Sequence, residues 1–95
     1  MPTQVQFTNM KNSDTVRDHI DELMKELVKI TDNKFPFHIH LSKANDESYS
    51  TLINCSYMGK PLSSKAEHTN LYKAISKSVD SMKTQVMKKH EKVRK

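Results

Sequence analysis

His38 and His40 are separated by one residue, a spacing that puts both imidazoles on one face of an extended chain, about 6.5–7 Å apart. Two imidazoles can share a metal ion, but a closed zinc site needs four ligands and a catalytic one three. No Cys-x-x-Cys, His-Glu-x-x-His or paired-carboxylate motif stands nearby, so the pair reads as polar positions on the open side of a sheet. His19, His68 and His90 are scattered and add no ligand set. Cys55 is the only cysteine, with no neighbouring His or basic pocket to make a thiolate, and reads as a small core residue. A single cysteine also excludes the disulfide-stapled class of small secreted domains. One glycine in the whole chain excludes a Gly-rich phosphate loop. Asp18, Asp21, Glu22 and Glu26 fall on the solvated face of a helix and read as solubilising charge, not as an acid/base pair. The expectation is a protein that is not an enzyme and carries no metal or cofactor.

What remains is positive charge, and it is unevenly placed. The 95 residues include 16 Lys+Arg against 11 Asp+Glu, for a formal net charge of +5. Residues 1–69 hold eight Lys and Arg against nine acids, a net of −1, while residues 70–95 hold eight against two, a net of +6. A pole of one sign attracts polyanions at range and releases their counterions on contact. The competing reading is a solvated helix end whose lysines suit the negative end of its dipole.

The elements that must position this pole follow from periodicity. Gln4 to Thr8 alternates polar and apolar as a short half-buried strand. Asn12-Ser13-Asp14 supplies capping chemistry, and Val16, Ile20, Leu23, Met24, Leu27 and Val28 then form one apolar stripe on a helix of about 17 residues. Asp21 and Lys25 are spaced for an i,i+4 pair, and Thr31-Asp32-Asn33 ends the helix. A second strand runs from about Phe35 to Leu41, with Pro36 at its beginning or on an edge. A third, Tyr49 to Met58, points Thr51, Ile53, Cys55 and Tyr57 one way, and Gly59-Lys60 marks a tight hairpin. A short fourth, Leu62 to Ala66, turns Leu62, Ser64 and Ala66 inward.

The last helix starts near Thr69-Asn70 and carries an apolar stripe of Leu71, Ile75, Val79, Met82, Val86 and Val93, within an arc of about 80°. Its opposite face holds Lys73, Lys77, Lys88 and Lys95, with Thr84 and Glu91 between them. At about 25 residues it is near 37 Å long, so its final turns should project beyond the sheet. These readings give an α+β class: a β-α-β-β-β-α order, one four-stranded mixed sheet and two helices packed on one face. One domain spans residues 1–95, with the basic helix over about 70–95. No run of apolar residues exceeds two, which excludes a membrane span or a secretory signal core and leaves the cytoplasm as the default.

Three segments of this pattern resemble the ribosome hibernation-promoting factor family, also described as ribosome-subunit interface or sigma-54 modulation proteins. Ser13-Asp14-Thr15-Val16-Arg17-Asp18-His19-Ile20 is similar to the family's opening of its first helix, and Asp32 stands where the family places an Asp after that helix. Ala66-Glu67, Leu71-Tyr72-Lys73-Ala74-Ile75 and Val79-Asp80 resemble the family's Ala-Glu…Met-Tyr-Ala-Ala-Ile-Asp…Val-Asp. Lys88-Lys89-His90-Glu91-Lys92 is like its Lys-His-Lys-acidic-Lys terminus. The resemblance implies a bacterial, non-enzymatic protein that binds the small ribosomal subunit and its rRNA in stationary phase or stress. Such a protein occupies the mRNA/tRNA channel and inhibits translation. The short form, to which this chain is similar, supports ribosome dimerisation with a second small factor and is expected to be a monomer off the ribosome, with no membrane partner. The expected RNA-binding residues are Lys73, Lys77, Lys83, Lys88, Lys89, Lys92 and Arg94, with Lys29 on the first helix. The chain departs from the family pattern where basic positions are replaced by Leu23, Glu26, Ser81, Thr84 and Met87. The alternative reading, which matches the family's older name, is a protein-interaction module that modulates a transcription (sigma) factor. A double-stranded-RNA-binding domain fits less well, because that fold has no strand before its first helix.

Overall fold

The computed structural model describes residues 3–31, 34–44 and 47–94, with side chains described as far as residue 88. Six elements follow one another: β1 (Thr3–Thr8), α1 (Asp14–Ile30), β2 (Phe37–Lys43), β3 (Tyr49–Tyr57), β4 (Lys60–His68) and α2 (Leu71–Arg94). The strands form one sheet in the order β1-β2-β3-β4. β1 runs parallel to β2, with Val5 opposite Ile39, and the other two pairings are antiparallel. A parallel pair requires a long crossover, which α1 supplies. This is the expected α+β, β-α-β-β-β-α arrangement with a mixed sheet.

Alternation along the strands decides which face is covered. Phe37, Ile39 and Leu41 on β2, and Thr51, Ile53, Cys55 and Tyr57 on β3, are buried on one face. They pack with Val16, Ile20, Met24 and Leu27 of α1 and Ile75, Val79, Met82 and Val86 of α2 into a single core. Each Val, Leu, Ile, Phe or Met among them contributes about 1.5–3 kcal/mol on leaving water, so a thin core in a small domain must use nearly every inward position.

Local chemistry sets the element ends. Ser13 caps α1, its Oγ accepting from the Val16 N–H at 3.2 Å. At the other end the Thr31 hydroxyl donates back to Leu27 O at 3.0 Å; Asp32, expected just beyond it, lies outside the described residues. β2 begins two residues later than expected, at Phe37, because Pro36 has no N–H to give to a ladder. Phe35 still packs edge-on against Tyr57, with centroids 4.9 Å apart. β3 ends at Tyr57, not Met58, because Met58 (φ 54°) and Gly59 (φ 76°) both take left-handed backbone between Tyr57 and its ladder partner Lys60. That is the pattern of a two-residue type I′ hairpin. β4 is correspondingly longer than expected, nine residues instead of about five, since the hairpin keeps it paired from Lys60 to His68. On the surface of α1, Lys25 pairs with Glu22 at 2.9 Å, not with Asp21 as the i,i+4 spacing suggested.

Candidate nucleic-acid interface

The orientation of α2 about its own axis determines where its lysines face. Asn70 starts the helix, its Oδ1 accepting from the N–H groups of Tyr72 (3.0 Å) and Lys73 (3.3 Å). The Asn70 N–H in turn donates to His68 Nδ1 at 2.9 Å, which ties the cap to the end of β4. One flank is fixed to β4 twice. Ser64 Oγ donates to Ser78 O at 2.8 Å, and Gln85 Nε2 donates to Ser63 O at 2.8 Å. The other flank meets α1, where the His19 and Tyr72 rings stack edge to face with centroids 4.8 Å apart. Ala74 and Ser78 join the buried stripe. The sequence pattern missed them, because an alanine and a serine carry little apolar signal.

With those two flanks fixed, Lys73, Lys77 and Lys88 fall within about 60° of each other on the outward face at about 100° per residue. All three are exposed and carry no ion pair among the described residues. Lys73 and Lys88 lie 15 residues apart, roughly 22 Å along the axis. Among the described side chains, Asp80 is the acid on the same outward side. The helix backbone continues through Lys89, Lys92 and Arg94 to its end at Arg94, but their side chains lie outside the described residues.

Lys83 is placed differently from the outer row. It sits about 120° round the helix, on the seam with α1. Its Nζ lies 2.7 Å from Glu26 Oε2. The hydrogen bond from Lys83, and behind it that residue's charge, hold the Glu26 carboxyl below its ordinary pKa. The same hydrogen bond raises the pKa of the Lys83 ammonium. Lys29, also exposed, lies close enough to add to the lowering at Glu26. The structure thus brings together Lys73, Lys77 and Lys88, and sets Lys83 and Lys29 apart across the seam. No signal along the chain linked Glu26 to Lys83, 57 positions away.

The other candidate chemistry is laid out on the opposite side of the molecule. On the helix-free face of the sheet, Gln4, His38 and Asn54 align across three strands, with Gln6 and His40 in the next row. They line a shallow depression of about 230 Å³. His40 Nε2 is hydrogen-bonded to Thr8 Oγ1 at 2.5 Å. Among the described residues, no three His, Cys, Asp or Glu come together as a metal site. Cys55 is 4% exposed in the core, and burial raises its thiol pKa above the ordinary value, which suppresses thiolate. No helix among the described residues is long and apolar enough to cross a membrane.

A small mixed sheet with two helices on one face, one of them presenting an exposed lysine row, defines a compact α+β module with a basic helical face. Residues 3–94 match the family model described as Sigma 54 modulation protein / S30EA ribosomal protein, and the chain belongs to that family. Among solved structures, the Protein Y N-terminal domain from Thermus thermophilus is similar at 26% identity and a TM-score of 0.77. The match covers 86% of this chain and 90% of that one. A ribosomal subunit interface protein from Coxiella burnetii shares the fold at 17% identity and a TM-score of 0.79, with 90% and 93% covered. No curated protein matches the chain at a comparable level.

Proposed function

We propose that this protein binds the small ribosomal subunit and silences translation, acting as a ribosome hibernation factor in stationary phase or stress. The observation that carries the reading is the exposed row of Lys73, Lys77 and Lys88, without an ion pair among the described residues, on a helix whose roll is fixed by the Ser64–Ser78 and Gln85–Ser63 hydrogen bonds. Family membership supports it, as does the likeness to a protein described as a ribosomal subunit interface protein. In this reading the lysines meet rRNA phosphates, and Lys89, Lys92 and Arg94 extend the contact along the same helix. Phosphate contacts position a protein without reading sequence, so recognition comes from the shape of the rRNA cleft. The rigid α/β body then blocks the mRNA/tRNA channel by occupying it. The mechanism is steric and electrostatic, needs no catalytic residue or cofactor, and operates in the bacterial cytoplasm. A second small factor would join it where ribosomes dimerise.

The test is co-sedimentation of the purified protein with ribosomes. Lys77→Glu combined with Lys88→Glu should abolish recovery in the ribosomal pellet while leaving the circular dichroism spectrum unchanged. Recovery equal to wild type would remove the outer row from the interface. RNase-resistant recovery with an RNA polymerase subunit would instead favour modulation of a sigma factor.

A further inference from the structure

The seam between α1 and α2 carries three exposed or half-exposed charges in alternating sign, Lys29, Glu26 and Lys83, and Asp80 of the outward side follows next to Lys83. Glu26 and Lys83 are in direct contact at 2.7 Å, Lys29 is within electrostatic reach of Glu26, and Asp80 is within reach of Lys83. The Lys83 side chain is 34% exposed and Glu26 66%, so the stem of the lysine lies against the protein while its carboxylate partner faces water. Among the described residues the outer row has no ion pair. Lys83 and the outer row are therefore not equivalent: Lys83 is already occupied by a carboxylate, and Lys73, Lys77 and Lys88 are exposed without one among the described residues.

We propose that Glu26 is a built-in competitor for the nucleic acid, a carboxylate that occupies Lys83 and keeps it out of the RNA contact made by the other cations of α2. This deepens the ribosome-binding reading and rests on it. A phosphate approaching the seam must displace Glu26 from Lys83, and it meets the repulsion of that carboxylate while doing so. Glu26 thereby lowers the number of phosphates the protein can neutralise by one and keeps the complex weaker and less salt-dependent than the lysine count implies. The residue acts through Lys83, so it is a positioning residue for binding, not a contact.

Binding of purified protein to isolated small ribosomal subunits, measured across a KCl series, tests this. Glu26→Gln should tighten binding roughly fivefold near ~0.1 M salt and steepen the log–log salt slope by about 0.7–0.9, the increment of one further phosphate. In a Lys83→Met background the same substitution should leave the slope unchanged, because no ammonium is released. If Glu26→Gln binds with wild-type affinity and slope while Lys77→Glu with Lys88→Glu loses binding, the competitor role is overturned and the ribosome reading stands. If Glu26→Gln steepens the slope equally with and without Lys83, the carboxylate acts through the general field and the pairing mechanism is overturned. If none of these variants differs from wild type, both the competitor role and the place of the outer row in the interface are overturned; a wild-type protein that fails to bind the subunits at all overturns the ribosome reading.

Discussion

Met58 holds a left-handed backbone conformation (φ 54°) that a non-glycine, non-Asx residue adopts at a cost of about 1–2 kcal/mol. It does so because the type I′ hairpin demands positive φ at both central positions, and only the second is glycine. Met58 is 48% exposed, so packing gives little in return. Met58→Asn should therefore raise stability by about 0.5–1 kcal/mol, since Asn tolerates this region through local hydrogen bonding. An upward shift of the urea midpoint with an unchanged m-value checks it. The Gly59-Lys60 pair already marked a hairpin in the sequence, but placed the turn one residue late. Nothing in a methionine announces that it will take the first left-handed position.

The helices and β3 could be read from the sequence because their apolar residues repeat at the helical or strand period over many positions. Val16, Ile20, Met24 and Leu27 all arrive in the core, as do Ile75, Val79, Met82 and Val86. The full length of β4 could not be read. Pro61, Ser63, Lys65 and Glu67 point away from the core and carry no apolar signal, while partnership with β3 keeps them in the ladder. The candidate site divides in the same way. The outer lysine row follows from helical spacing alone, whereas the Glu26–Lys83 contact exists only after α1 and α2 have packed. The cap of α2 was visible as Thr69-Asn70, and the structure selects Asn70. Asn70→Ala should cost about 1 kcal/mol, since two N–H groups lose their acceptor at a helix start with no acid in its first turn. The loss appears as a lower thermal midpoint. Because the cap also joins α2 to β4 through His68, hydrogen exchange should accelerate first at Tyr72 and Lys73.

The molecule measures 45 × 23 × 18 Å, with a 24-residue helix about 36 Å long running through it. Its charge is as anisotropic as its shape: a net of +6 lies in residues 70–95 and −1 in the rest. Outside α2, several cations are already engaged. Lys25 pairs with Glu22 and Lys65 with Glu67, while Arg17 lies over the Phe7 ring at 5.1 Å. The body thus adds little to the field that a polyanion meets, and the terminal helix sets it. With about five phosphates neutralised by the lysines of α2, ribosome affinity should fall with a log–log salt slope of roughly −3 to −5. The same slope should survive Lys60→Gln and Lys65→Gln on the hairpin, because those lysines sit on β4, away from the outer row of α2. It should shrink by about 0.7–0.9 for each lysine of the outer row replaced by glutamine. Equal losses from the hairpin and the helix would mean that binding responds to net charge wherever it is placed. In that case neither the fixed roll of α2 nor the shape of the molecule would have a part in recognition.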